Sequence, residues 1–334
     1  MTNLKSVAKL AGVSASTVSR VLSGKSAIKE DTRQRVMNAI QQTGYHPNAL
    51  AKSLKMGRSD TIALMVPSVQ NLIFAQITRG VEDTARRNGF MVVLCNTDED
   101  PEAERAYIEK LRHRLIDGFI VASLRPGSDQ FRELRSQGVP LVLVNRYIPG
   151  DPMDVVTVDN YSAAKNAVHY LIRCGRKRIA VALGHEEHIF YRERFRGYRD
   201  ALAEANLPYE ERLIMRETNG TESFYQLTKQ LIASDAKPDA VFATSDPKAI
   251  MVMHALHDLK VRIPEDVAVL GFDNVELSAV IEPPLTTVSQ PLYGMGVAAA
   301  KKLIHQIRYK EEHDQLPPPS MDVLITDLIV RRST

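Results

Sequence analysis

Residues able to do covalent or metal chemistry are few in this sequence, and their spacing argues against it. His185-Glu186-Glu187-His188 brings two imidazoles and two carboxylates together, but it lacks the histidine spacing of a zinc-protease helix. Gly24-Lys25-Ser26 resembles the end of a phosphate-binding loop, yet position 19 is serine where that pattern requires glycine. Cys95 and Cys174 are too few for a disulfide scaffold or a cysteine-rich zinc site, and they suit a reducing, cytosolic compartment. No Gly-x-Ser-x-Gly elbow and no dinucleotide fingerprint occurs. The expectation is a protein that is not an enzyme and holds no metal and no cofactor. What remains is recognition chemistry: hydroxyls and guanidiniums near the N-terminus, and charged groups placed at the ends of apolar runs farther on.

The N-terminal groups sit on a strongly basic segment. Residues 1–60 carry ten Lys/Arg against Glu30, Asp31 and Asp60, a net charge of +7. The remaining residues hold 33 basic and 37 acidic side chains, net −4, so the overall +3 conceals a basic head and a slightly acidic body. Such asymmetry suits a head that meets a polyanion. Leu4 to Ala11 reads as a helix with Val7, Leu10 and Ala11 inward, and Gly12-Val13-Ser14 as a turn. Ser14 can N-cap a second helix, Ala15 to Leu22, whose buried stripe is Val18, Val21 and Leu22. Ser16 and Arg20, four residues apart, share another face. A third helix fits Asp31 to Gln42, with Val36, Ala39 and Ile40 inward and Gly44 past its end. Two short helices joined by a glycine turn and braced by a third make a helix-turn-helix, whose second helix enters the major groove. An ordinary three-helix cap would show the same periodicity. Pro47 and Asn48 then open a helix of about two turns carrying Leu50 and Leu54. A helix that short needs a partner, a second copy or DNA.

From Thr61 onward, continuous apolar runs alternate with amphipathic stretches: Thr61–Val66, Phe90–Leu94, Gly118–Ala122 and Leu141–Val144, then Ile179–Leu183, Ala240–Ala243 and Val267–Gly271. Buried strands between helices indicate two doubly wound parallel-sheet subdomains in an α/β core, with ligands at the strand C-terminal ends. Asn145-Arg146, Ser245-Asp246 and Asp273 fall at such ends, while Arg192 and Arg194 open the helix through Phe195-Arg196-Gly197-Tyr198. His185 or His188 also follows a strand and can line the cleft. Asp246 reads as an N-cap with Pro247 at the first helical position.

The head, from LKSVAKLAGVSASTVSRVL through Gly44-Tyr45-His46-Pro47-Asn48 to Ala51-Lys52-Ser53-Leu54, resembles the lactose/galactose repressor family of bacterial transcription regulators. The body resembles that family's core, which is similar to periplasmic sugar-binding proteins. The resemblance implies an all-α helix-turn-helix head at 1–46, a hinge helix and linker at 47–60, and an effector-binding and dimerisation core at 61–334. Within the core, it places residues 61–160 and 290–320 in one subdomain and 161–289 and 321–334 in the other. It puts base reading on Ala15, Ser16 and Arg20, with Arg20 able to contact a guanine edge. Ser14, Thr17, Ser19 and Asn48 suit the DNA backbone. Ala51, Leu54 and Lys55 belong to the hinge, with Leu54 as the minor-groove wedge. Arg194 and Asp273 fall where the family holds its effector. A carboxylate and a guanidinium facing each other across a cleft suit polyol hydroxyls or an acid sugar; a structural ion pair is the other reading. Asn145 and Ser245 join them, and Ser245 stands where many sugar-responsive relatives carry Asn. Phe74 matches an effector-proximal aromatic or a core aromatic at a helix start, and Ile73, His188 and Arg192 complete the candidates.

With 44% apolar and 25% charged residues, wholesale disorder is excluded. No uncharged apolar run approaches the roughly 18 residues that span a bilayer, and no signal peptide opens the sequence. The expected partners are double-stranded operator DNA, a small-molecule effector (sugar, sugar acid or derivative) and a second copy, with no membrane. No leucine heptads follow Val330, which points to a homodimer rather than a coiled-coil tetramer. A transporter's solute-binding protein would explain the body alone, but neither the basic head nor the missing signal.

Overall fold

A computed structural model of the chain describes residues 3–23, 28–45, 58–112, 116–125, 127–217 and 223–334. They form two units, Met1–Ser59 and Asp60–Thr334. The first holds α1 (Leu4–Ala11), α2 (Ala15–Ser23) and α3 (Glu30–Thr43). Asn3 caps α1 by accepting the Ser6 amide at 3.0 Å, and Ser14 Oγ accepts the Thr17 amide at 3.1 Å to open α2. The apolar cluster is Val7, Ala8, Ala11, Val18, Val36 and Ala39. Leu10 and Leu22 were expected inside but are 53% and 37% exposed. Three short helices cross closely enough to admit methyl groups at these points rather than leucine side chains. Asn48, Leu50, Ala51, Leu54 and Lys55, and with them the hinge helix, lie outside the described residues, as does Gly24.

The second unit contains two six-stranded sheets. The first uses β1 (Thr61–Val66), β2 (Met91–Asn96), β3 (Gly118–Val121), β4 (Leu141–Val144), β5 (Asp154–Val158) and β11 (Met321–Leu324), in the order β2-β1-β3-β4-β5-β11. The second uses β6 (Ile179–Leu183), β7 (Ile214–Arg216), β8 (Ala240–Ala243), β9 (Ala268–Asp273), β10 (Thr286–Ser289) and β12 (Asp327–Ile329), in the order β7-β6-β8-β9-β10-β12. All pairs are parallel except β10 with β12. Central strands are buried along their whole length, as the unbroken aliphatic runs require of sheets covered on both faces. Each fully buried Val, Leu or Ile contributes roughly 1.5–3 kcal/mol, so these strands dominate the stability of the core.

Among the helices that matter below are α4 (Leu72–Arg87), α5 (Pro101–Arg112), α6 (Asp129–Ser136), α7 (Asn160–Arg173), α8 (Ile189–Glu204), α9 (Phe224–Ala233), α10 (Asp246–Asp258), α11 (Leu277–Val280) and α12 (Leu292–His313). The chain crosses between the sheets after β5, after β10 and after β11.

Three expectations are corrected here. The segment 321–334, expected to belong wholly to the second subdomain, holds two strands, β11 and β12, separated at Ile325 and Thr326. Residues 321–324 pair with β5 in the first sheet, so the first subdomain runs past residue 320. The helix expected to open at Arg192 begins at Ile189, which moves Arg194 into its second turn. Ser245 rather than Asp246 is the N-cap of α10, and Asp246 is its first residue, with Pro247 following in the first turn. No helix among the described residues is long and apolar enough to cross a membrane.

Candidate nucleic-acid interface and ligand cleft

On α2 two of the candidate DNA-contacting side chains stand in solvent, while Ala15 packs against the head's apolar cluster. Ser16 and Arg20 are exposed, while Ala15, Thr17 and Ser19 are half-buried and Val18 anchors the opposite face. Ser14 Oγ lies 2.7 Å from Ser16 Oγ and 2.8 Å from Thr17 Oγ1, a hydroxyl cluster at the helix N-terminus. Such a terminus, with its unbonded amides and positive end of the helix dipole, attracts phosphate.

In the core, polar residues collect where strands end. Arg194 is 1% exposed and Asp273 is fully buried, with Arg194 Nη1 3.6 Å from Asp273 Oδ1. They do not face each other across a cleft: helix α8 and strand β9 both belong to the second sheet's subdomain. Arg194 Nε donates to Asn160 Oδ1 at 2.9 Å and Nη1 to the Thr244 carbonyl at 2.6 Å. Its guanidinium carbon lies 3.6 Å from the Phe272 ring centroid, a desolvated cation–π contact. Gln290 Nε2 donates to Asp273 Oδ1 at 2.7 Å, while Asp273 Oδ2 is buried with no partner. Burial pushes the Asp273 carboxyl up to about 6, against the pull of Arg194 and Gln290. Its φ of 125° is strained for a residue with a Cβ.

Asp246 lies beside it. Thr287 Oγ1 donates to its Oδ1 at 2.6 Å and the Val275 amide to its Oδ2 at 2.9 Å. Burial, and then the charge of Asp273, raise its carboxyl to about 8. This carboxyl holds the turn after β9, a structural task other than the helix cap expected of it.

Across from these groups, the first subdomain contributes Asn145 and Arg146 after β4. Asn145 adopts φ 65° and its Oδ1 is buried without a partner. Arg146 Nη2 donates to Glu99 Oε1 at 2.6 Å. Arg146 and His188, from opposite subdomains, line one cavity of about 290 Å³ together with Arg192. Phe190 ties the cavity to the buried pair: the Arg146 and Arg194 guanidinium carbons lie 5.9 and 5.2 Å from its ring centroid. His188 stacks on the same ring at 5.5 Å, and burial followed by the charge of Arg146 pushes its imidazole down to about 3, so it is neutral at pH 7.

The comparisons with known proteins can be set against this geometry. Residues 3–48 match the family "Bacterial regulatory proteins, lacI family", and residues 59–322 match "Periplasmic binding proteins and sugar binding domain of LacI family". The chain belongs to the LacI family. It is a DNA-binding, metabolite-responsive regulator, and the solute-binding-protein alternative is not favoured. This LacI-family chain is 34% identical to catabolite control protein A of Priestia megaterium over 316 residues, covering 93% of this chain and 95% of that one. It is 33% identical to the ribose operon repressor of Halalkalibacterium halodurans over 311 residues, covering 93% and 92%. Its fold matches the transcriptional regulator CelR–cellobiose complex with TM-score 0.74 at 32% identity, over all of both chains. A TM-score of 0.87 at 24% identity relates its fold to the lac repressor dimer bound to operator and the anti-inducer ONPF, over 99% and 98% of the chains. These relatives are transcriptional regulators.

Within this LacI-family core, the structure pairs Arg194 with Asp273, places His188 and Arg192 in the cavity with Arg146, the neighbour of Asn145, and buries Ser245 at the N-cap of α10. Phe74 and Ile73 are buried in an apolar cluster that also holds Val275, just after β9. Sequence reasoning missed Glu99, Asn160, Thr244, Phe190 and Gln290 as partners. Only the tyrosine- and phenylalanine-rich run Ile189-Phe190-Tyr191 hinted at an aromatic wall.

Two mutational outcomes follow from these contacts. Arg20→Ala is expected to cost about 1–3 kcal/mol of operator affinity at one base position and to relax specificity there. Binding measured against all four bases at each site position checks this; uniform weakening would make Arg20 a phosphate contact. A Cβ at Gly271 would fall onto Asp246 Oδ1 and lie 2.9 Å from Leu285 Cδ2. Gly271→Ala is therefore expected to destabilise the core by about 1–3 kcal/mol in urea unfolding, and an unchanged midpoint would contradict the packing described.

Proposed function

We propose that this LacI-family chain is a homodimeric repressor of a carbohydrate or sugar-acid utilisation operon. It binds a palindromic operator and is released by a small-molecule effector held at the strand ends of its core. One observation carries the effector site: buried polar atoms without partners, on Asn145, Arg146, Asp273 and Gln290, gather at the strand C-terminal ends of both subdomains. Buried polar groups are almost always satisfied; single nitrogens of Arg135, Arg176 and Arg216 also lack hydrogen-bond partners, but these four residues stand at the ends of β4, β9 and β10, where open α/β cores bind ligands. The sugar-linked names of two relatives, a ribose operon repressor and a regulator bound to cellobiose, support a carbohydrate-derived ligand.

In this reading Ala15, Ser16 and Arg20 read bases, while Ser14, Thr17, Ser19 and Asn48 contact the backbone. Ala51, Leu54 and Lys55 form the hinge. Asn145, Arg194, Ser245 and Asp273 hold the effector with His188 and Arg192. Apolar side chains left in solvent at Met91 and Leu94 on β2, at Met251 on α10, and at Leu277 and Val280 on α11 support pairing with a second copy. Effector binding changes the angle between subdomains and so shifts the population of dimers whose hinge helices are paired for DNA. The protein acts in the cytoplasm, with DNA, and catalyses no reaction.

Gel shifts with a randomised palindromic library, using the whole chain and the core alone, test the proposal. Sequence-selective retardation by the whole chain only is expected. Absence of any preference at moderate salt would remove the repressor reading.

A further inference from the structure

Four arginines, Arg125, Arg132, Arg146 and Arg192, line the cavity of about 290 Å³, and among the described residues Glu187 is its one acidic wall residue. Their charges are not equally engaged. Arg132 is tied to Asp129 and Asp151 at 2.6 and 2.9 Å. Arg125 donates to the Glu99 carbonyl at 2.6 Å and faces Glu187 at 3.4 Å. Arg146 differs: its side chain is 8% exposed, Glu99 occupies only Nη2, and both Nε and Nη1 are buried without an acceptor. Arg192 is exposed at the mouth and makes no ion pair among the described residues.

We infer that the effector is an anion, a sugar acid or a sugar phosphate, whose charged group is bound by Arg146 and Arg192 in the cavity they line. The inference rests on the effector-cleft reading above and names the ligand's chemical class. A buried guanidinium with idle N–H donors costs several kcal/mol unless an acceptor reaches it, and a carboxylate or phosphate makes the strongest such bonds. A neutral sugar could supply hydroxyl acceptors to Arg146 but would leave Arg192, the arginine of this wall with no ion pair among the described residues, without a counter-charge. The neighbouring imidazole of His188 is held unprotonated by burial first and by the charge of Arg146 second, although Glu99 Oε2 lies 4.0 Å away. The cavity volume is at the lower end for small-molecule sites, roughly 300–1,000 Å³, which matches one sugar ring with a charged substituent.

The test is calorimetric and uses the full-length protein. Glucose, galactose, fructose and ribose are each titrated beside their phosphate esters; gluconate, glucuronate and galacturonate supply the carboxylate arm. At least one anionic member is expected to bind 100-fold or more tightly than its neutral parent, and the arm in which it falls tells carboxylate from phosphate. Arg192→Ala, at an exposed position, and Arg146→Gln are each expected to cut that preference at least tenfold, with circular dichroism confirming the fold. A neutral sugar that binds as tightly as its acid or phosphate, a panel with no anionic binder, or a preference untouched by Arg192→Ala overturns the inference. Operator gel shifts on the same samples separate the two readings. A neutral sugar that releases operator ends the anion inference and leaves the repressor standing. An anion that binds to a protein with no operator preference does the reverse.

Discussion

Asp273→Ala is expected to abolish the response to effector and to destabilise the core by about 3–5 kcal/mol, with operator binding retained. The cost arises because Arg194, 1% exposed, would keep its charge and lose the carboxylate beside it; removing one partner of a buried pair leaves an uncompensated ion. For a unit of this size that is a fall in Tm of about 6–20 °C. Asp273→Asn serves as the companion variant. It keeps an oxygen for Gln290 Nε2 and the local shape, and is expected to lose effector affinity with a smaller loss of stability. Normal operator release by either variant would remove Asp273 from the site. The carboxyl's own titration gives a pH test. Its folded value, about 6, lies above the ordinary 3.8 because of burial, so the folded state holds a proton that the unfolded chain releases. That contribution favours folding at low pH and is lost as pH rises from about 4 through about 6. Effector hydroxyls donate to the ionised form, so effector affinity is expected to fall as pH drops below about 6. The Asp273→Asn variant should not show that fall.

Operator affinity of the intact dimer is expected to drop by about 10³–10⁵ between 50 and 200 mM salt, provided the two heads together neutralise about 6–10 phosphates. Ten Lys/Arg in the first 60 residues of each protomer supply enough cations for that number. Each neutralised phosphate releases condensed counterions, and the slope of log K against log salt is about −0.9 for every phosphate engaged. The body, net −4, adds no attraction and should show no salt-dependent binding alone. A slope shallower than about −3 would mean that most of the basic residues never reach the backbone. Arg20→Ala should leave the slope within about one unit of its original value, because a base contact discriminates sequences without displacing many ions.

The head was legible because its signals are local. Ser14 as a cap, Gly12 in the turn after α1, Gly44 past the end of α3 and the 3.6-residue spacing around Val18 depend only on near neighbours, and all appear where the pattern puts them. Leu10 and Leu22 were misplaced because periodicity says which face is apolar, not how closely two short helices cross. Unbroken aliphatic runs such as Thr61-Ile62-Ala63-Leu64-Met65-Val66 marked buried strands for the same local reason. Pairing is not local: nothing in Met321-Asp322-Val323-Leu324 states that it joins β5, 166 residues earlier in register, rather than the sheet that holds β12.

What this sequence determined by itself is a class of protein: a basic helix-turn-helix followed by a ligand-binding α/β core, written in charge, caps, periodicity and a family's motifs. What the tertiary structure alone decided is which polar groups end up satisfied. Arg194 and Arg146 are both arginines near strand ends, yet one is wrapped by Asn160, Thr244, Asp273 and Phe272 while the other keeps two buried donors idle. That difference is made by side chains tens of residues apart that meet only when both sheets are assembled. A guanidinium's need for acceptors is fixed by its chemistry, but whether the protein or a ligand supplies them depends on distances that no spacing along the chain contains.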